Sequence, residues 1–250
     1  MTVPPRIPSL SIVVPAYNEA ARIIDSLERI GSYLQHRGGE SEVVVVDDGS
    51  EDETADLVAA YAAEHPQVCL LRVPHGGKGQ ALRAGVLAAR GEYVFICDAD
   101  LSMPVEQIER FLPPASDPCD VAIGSRELPG SRRYGEPRRR HLMGRAFNAW
   151  VRLMAVRGLQ DTQCGFKCFR RAVARDLFGA QRLGGWAFDV ELLFLARRRG
   201  YTIREVPIDW HYREGSKIRP LRDARAMFCD VLRLRLNSLL GRYDEPAPGG

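Results

Sequence analysis

The first half of the chain alternates between short apolar runs and longer stretches in which apolar residues recur at helical spacing. Residues 10–14, 43–46, 68–73, 93–97 and 121–124 read as strands. Residues 19–35, 52–64, 77–90 and 104–112 read as the helices between them. Val43-Val44-Val45-Val46 is apolar at every position, which marks a strand buried on both faces. Ser50, followed three residues later by Glu53, predicts a capping box at the start of the second helix. Strands separated by helices of this length require crossover connections, so the pattern predicts an α/β fold with a mainly parallel central sheet flanked by helices. After residue 126 the rhythm changes. Residues 127–140 are rich in arginine, glycine and proline without a period and predict a mobile loop. Helices are expected at 142–156, 188–199 and 220–240, and a strand at 202–210.

In parallel sheets ligands bind beyond the carboxyl ends of the strands. Those ends carry Pro15-Ala16-Tyr17-Asn18-Glu19, Asp47-Asp48-Gly49-Ser50, Gly76-Gly77-Lys78-Gly79, Asp98-Ala99-Asp100 and Gly124-Ser125-Arg126. Asp98 and Asp100 are two apart on extended backbone, so both can face one ion. Hard oxygen donors of this kind suit Mg2+ or Mn2+ carrying a substrate phosphate. Asp47 and Asp48 are adjacent, so they point to opposite faces; one is free to bind a base or ribose and the other to hold a turn. The glycines around Lys78 lack the spacing of a Walker loop but allow backbone and lysine to approach a diphosphate.

The 250 residues, 45% of them hydrophobic, suffice for one large domain, and there is no internal repeat. The six cysteines form no Cys-x-x-Cys pair, which argues against zinc and against a disulfide framework. No apolar run reaches the ~20 residues of a membrane-spanning helix, and Met1 to Pro8 holds no signal-peptide core. The expectation is a cytoplasmic protein. The net charge is +3, but residues 126–145 hold seven arginines against two glutamates, and residues 213–242 hold eight basic residues against three acidic. Such segments meet solvent, anionic phosphates or an anionic membrane surface.

Taken together, Ser11-Ile12-Val13-Val14-Pro15-Ala16-Tyr17-Asn18-Glu19, Val46-Asp47-Asp48-Gly49-Ser50 and Asp98-Ala99-Asp100 resemble the family 2 glycosyltransferases of the GT-A fold. Three later blocks narrow the resemblance to the dolichyl-phosphate β-glucosyltransferase branch and, less closely, to the mannose synthases. They are Asp161-Thr162-Gln163-Cys164-Gly165-Phe166-Lys167, Trp186-Ala187-Phe188-Asp189-Val190-Glu191-Leu192-Leu193 and Glu214-Gly215-Ser216-Lys217. The resemblance implies inverting transfer of glucose from UDP-glucose to a polyprenyl or dolichyl phosphate, with GDP-mannose as the alternative donor. It implies Pro15, Tyr17, Glu19 and one of Asp47 and Asp48 at the nucleoside, and Lys78 near the nucleotide. Asp98 and Asp100 would hold the metal, and Arg126 and Lys217 would face the acceptor phosphate or the diphosphate. Ser102 stands where mannose synthases often carry a metal-assisting glutamine.

Asp189 and Glu191 lie two apart on a helix and do not share a face; Asp189 is taken as the one nearer the sugar, with Glu191 pairing elsewhere. Arg138, Arg139 and Arg140 are expected to clamp the acceptor phosphate. A nucleotidyltransferase would carry a glycine- and arginine-rich loop after the first strand, which is absent here. A nucleic-acid-binding module would find its phosphates repelled by the carboxylates at the strand ends, so no nucleic-acid partner is expected. The expected domains are an extension at 1–9, the catalytic domain at 10–220, an amphipathic helix at 221–242 and a disordered tail at 243–250. The helix faces three partners: the sheet, a second subunit in a homodimer, or a membrane surface.

Overall fold

The computed structural model describes residues 6–213 and 220–244. Residues 214–219, including Lys217, and the side chains of Arg138, Arg139 and Arg140 lie outside the described residues. The first half follows the predicted alternation: β1 (Leu10–Ala16), α1 (Ile23–Arg37), β2 (Ser41–Asp47), α2 (Thr54–Glu64), β3 (Val68–Arg72), α3 (Lys78–Ala88) and β4 (Tyr93–Ile96). A 3-10 helix (Val105–Phe111) and β5 (Val121–Ser125) follow.

The second half holds β6 (Arg132–Tyr134), α4 (Arg138–Met154), β7 (Lys167–Arg170), α5 (Arg171–Ala180), α6 (Phe188–Arg198), β8 (Ile203–Pro207), β9 (Asp209–His211) and α7 (Pro220–Leu239). The main sheet has the order β3-β2-β1-β4-β7-β5-β8. Every strand is parallel to its neighbours except β7, which runs antiparallel to both β4 and β5.

Period-two alternation along the strands builds two cores, one on each face. Ile12 and Val14 of β1 pack with α1 residues Ile23, Leu27 and Ile30 and with Phe111. Val13, between them, packs on the other face with Val86 of α3, Phe178 of α5 and Phe188 of α6. A strand sandwiched in this way has to be apolar at successive positions, which is why β1, β2 and β4 read as continuous runs.

Two details position the site. The chain moves outward from β1 to β2 and β3, then crosses back to β4 on the other side of β1. That reversal opens a crevice between the carboxyl ends of β1 and β4, the place where doubly wound sheets bind ligands. Because β7 is antiparallel, its beginning rather than its end lies at this edge. Lys167 pairs in register with Ile96 of β4 and Ile123 of β5. The Asp161–Lys167 block is thereby brought beside Asp98-Ala99-Asp100.

The structure corrects three expectations. The second helix starts at Thr54, and Ser50 makes no cap. Its hydroxyl instead accepts the Asn18 amide at 2.9 Å, docking the loop after β2 onto the loop after β1. The stretch 127–140 is ordered: β6 pairs in parallel with β9, and Arg133 is held by Glu127 and, at 2.6 Å, by Glu136. Arg133 is thus neutralised by two glutamates of the same segment, and the arginine-rich composition did not mean a loop without structure. Tyr243, placed in the expected tail, is buried, and its hydroxyl donates to Glu191 at 2.5 Å.

Candidate active site

Four strand ends meet at the crevice. After β4 the chain turns with Leu101 at φ 44°, and the Leu101 amide bonds the Asp98 carbonyl at 3.1 Å. Asp100 Oδ1 accepts the Ser102 amide at 2.9 Å, which fixes the turn. Asp98 Oδ1 sits 2.5 Å from Lys78 Nζ, with both side chains partly exposed. Gly165 faces the other oxygen of Asp98; a Cβ there would collide with the carboxylate, so only glycine leaves room for it. Two partly exposed carboxylates on one tight turn fit a hard divalent cation. Among the described residues no third His, Cys, Asp or Glu joins them, so further coordination would come from substrate phosphate and water.

Lys78 is the hub. It opens α3, lies 5.8 Å from the Trp186 ring and feels Asp98, Asp189 and Asp100. Burial works to lower its pKa, but these carboxylates outweigh it and hold the ammonium above the ordinary lysine value. Behind it Asp189 is buried and accepts from Lys167 Nζ at 2.7 Å. Burial raises the Asp189 pKa, and Lys167 and Lys78 only partly counter it. Lys167 is wholly buried and also donates to the Cys164 carbonyl. Glu191 turns away from this group, as expected of one member of the pair. Its carboxylate takes the Leu183 amide at 2.8 Å and the Arg182 amide at 3.1 Å, and so holds the loop before α6.

On the β1–β2 side, Tyr17 stacks on His75 at 4.4 Å between ring centroids. Asp48 accepts the Gly76 and Gly77 amides at 2.8 and 3.0 Å, and its Oδ2 lies 3.0 Å from His75 Nδ1. Those glycine amides are thus used to hold the loop after β3, not left for a diphosphate. Asp47 accepts the Ser50 amide at 3.3 Å. Pro15 pairs in register with Val46 at the end of β1, and the Glu19 amide donates to Thr54 Oγ1 at 2.8 Å while its carboxylate meets Arg22 at 2.8 Å.

Arg126 does not stand open at the edge. Asp161 takes its Nε at 2.7 Å, its Nη2 at 2.9 Å and its backbone amide at 3.1 Å, and the guanidinium lies over the Trp210 ring. Burial would weaken the charge on Arg126; Asp161 more than offsets this and raises its pKa. Asp161 in turn is held below the ordinary carboxylate value, because Arg126 outweighs the cost of burial.

The expected set therefore divides. Asp98, Asp100, Lys78 and Asp189 share one corner, Tyr17 and Asp48 meet around His75, and Arg126 is committed to a structural partner. Lys167, Asp161, Trp186 and Gly165, which the motifs contained without an assigned role, and His75, which lay outside them, prove to organise the site. A lysine inside the apolar run Phe166-Lys167-Cys168-Phe169 was the available signal, since a buried ammonium needs a carboxylate.

Comparison with known proteins identifies the framework. Residues 11–178 match the model of the glycosyl transferase family 2. The chain belongs to that family. It is 35% identical over 254 residues to the dolichyl-phosphate beta-glucosyltransferase of Homo sapiens, covering 94% of this chain and 77% of the relative. It is 38% identical over 221 residues to one from Trichomonas vaginalis, covering 84% of this chain and 66% of that protein. The chain thus spans about two thirds to three quarters of these relatives' length. Among solved structures it superposes on the glucosyl-3-phosphoglycerate synthase of Mycobacterium tuberculosis in complex with UDP. That match has a TM-score of 0.63 at 23% identity and covers 97% of this chain and 82% of the other. The same synthase has been crystallised with Mn2+, UDP-glucose and phosphoglyceric acid. This family 2 enzyme has the GT-A fold, an α/β domain with a seven-stranded mixed sheet.

Proposed function

We propose that this enzyme moves glucose from UDP-glucose to a polyprenyl phosphate of the dolichyl type, with inversion at the anomeric carbon. The observation that carries the chemistry is the Asp98–Asp100 turn beside Lys78 at the β1/β4 crevice. Support for the acceptor comes from relatives named for dolichyl phosphate, and support for the donor from neighbours crystallised with UDP and UDP-glucose.

Asp98 and Asp100 would hold Mg2+ or Mn2+, which supplies charge relief for the departing nucleoside diphosphate. Lys78 sits at the same carboxylate and offers its ammonium to the diphosphate. Tyr17, stacked on His75, provides a flat surface for a base, and Asp48 keeps that surface in place. The Lys167–Asp189 pair presents a fixed carboxylate behind Lys78, suited to sugar hydroxyls. An acceptor phosphate is already anionic near neutral pH, with its second pKa at about 6. It can attack without surrendering a proton to the enzyme, so binding, alignment and charge stabilisation make up the catalytic work.

The test offers UDP-glucose, GDP-mannose and UDP-N-acetylglucosamine separately to the enzyme with polyprenyl phosphate and Mg2+ or Mn2+. Glucosyl lipid from UDP-glucose is expected. Preferential mannosyl transfer overturns the donor assignment, and no lipid product from any donor overturns the acceptor.

A further inference from the structure

Helix α7 is apolar on two opposite sides. Val231 and Leu234 are fully buried in the sheet core and Met227 meets Gln163. On the far side Phe228, Leu232, Leu236 and Leu239 are 45%, 43%, 53% and 85% exposed, and Leu240 just beyond the helix is 56% exposed. With 3.6 residues per turn these five fall within an arc of about 120°. Leu153 of α4 is 63% exposed, and Trp150 of the same helix stacks on Phe228 at 4.5 Å, so the strip continues onto α4. Isolated surface leucines are ordinary, but a continuous strip of this kind marks a binding face.

The charges say what binds there. Arg233 and Arg235 flank the strip on its two sides, and exposed Arg225 lies at its amino-terminal end. Among the described residues of α7 the one acidic side chain, Asp230, lies off the strip, facing Gly185 and bonded to Arg233. An apolar strip edged with arginines matches the headgroup boundary of an anionic bilayer, where leucine and phenylalanine enter the acyl region and arginine meets lipid phosphate. A second copy of the chain would have to bring arginine against arginine along the same rim.

We propose that the outward face of α7, with Leu153, is the surface by which this enzyme rests on anionic phospholipid membranes. Its position gives the contact a purpose, which rests on the lipid-linked acceptor proposed above. Met227 touches Gln163, two residues from the Gly165 that cradles Asp98, and Asp230 faces Gly185, next to the Trp186 that covers Lys78. A helix lying on the bilayer thus carries the crevice at the membrane surface, where a lipid-linked phosphate is presented.

Flotation with vesicles of phosphatidylcholine alone or with phosphatidylglycerol tests this. The wild type is expected to float with the anionic vesicles, and Leu232→Glu/Leu236→Glu to stay in solution with unchanged thermal melting. Arg233→Gln and Arg235→Gln should each weaken binding to anionic vesicles about fivefold, with no change on neutral ones. Wild type that does not float overturns the proposal, as does a dimer in light scattering that Leu232→Glu/Leu236→Glu dissolves without affecting flotation. Assays on detergent-dispersed polyprenyl phosphate separate the two readings. Flotation without transfer defeats the proposed acceptor and leaves the surface standing; transfer without flotation does the reverse.

Discussion

Two carboxylate–cation pairs lie at the same edge of the sheet and are built for opposite purposes. Asp98 and Lys78 meet through one contact, with 28% and 19% of their side chains exposed. Arg126 and Asp161 meet through a two-pronged contact plus a backbone amide, and Asp161 is 4% exposed. The first pair can open, because solvent or a substrate phosphate can replace either partner at little cost. The second cannot, because separating it strands a buried charge. Both combine strand-end residues of types that bind anions or metals. Only the number of bonds and the depth of burial tell a working pair from a fastening.

The strongest way to break this distinction is at the metal carboxylates. Asp98→Asn or Asp100→Asn should lower transfer by about a thousandfold or more, since charge relief at the leaving group is worth several kcal/mol. Their melting temperatures should stay close to wild type, measured by circular dichroism. Full transfer by either variant in the presence of chelator would show that the turn serves no metal. At the other pair the expected loss is stability. Asp161→Asn leaves the Arg126 guanidinium buried with a neutral partner, and about 3–5 kcal/mol should disappear from urea unfolding. The folded fraction should still transfer sugar. A variant as stable as wild type but inactive would place Arg126 among the substrate contacts after all.

Proton linkage sharpens the same contrast. Asp161 is held below the ordinary carboxylate value when folded. A depressed carboxylate contributes stability above its unfolded pKa and loses it as pH falls through the folded pKa. The stability gap between wild type and Asp161→Asn should therefore stay constant from neutral pH down to pH ~5 and close below about pH 4. A gap that changes between pH 6 and 8 would mean another group carries the linkage.

The first half of the fold was legible because β1, β2 and β4 are buried on both faces and each helix follows at crossover distance. Asp98 and Asp100 were legible for the same reason: carboxylates directly after an all-apolar strand have no place in a core. What stayed hidden was pairing over long separations. Strand β7 is four residues long with a lysine at its first position, and nothing local in it marks an antiparallel strand between β4 and β5. The tie of Arg126 to a residue 35 positions away was equally invisible, so the arginine read as available for phosphate. In β6 the arginines looked like a solvated loop because the glutamate partners of Arg133 and the pairing with β9 could not be placed beforehand. Ser50 had the right spacing for a cap, but the loop after β1 claimed its hydroxyl first.

Lys78 offers the finest discrimination, because it belongs to the open pair yet is held partly like the closed one. Carboxylates on three sides keep it charged, and Trp186 covers it. If its ammonium moves from Asp98 to the donor diphosphate, Lys78→Met removes one charge-assisted hydrogen bond, worth about 1.5–3 kcal/mol. The KM for nucleotide sugar should then rise roughly tenfold to a hundredfold, with kcat changing much less, because the interaction is present in bound donor and transition state alike. The KM for polyprenyl phosphate should stay near wild type. An unchanged donor KM with a lower melting temperature would instead make Lys78 a fixed counter-ion for Asp98 and Asp189. The edge would then hold two fastenings, and Asp98 would have no cation ready to give way to the metal.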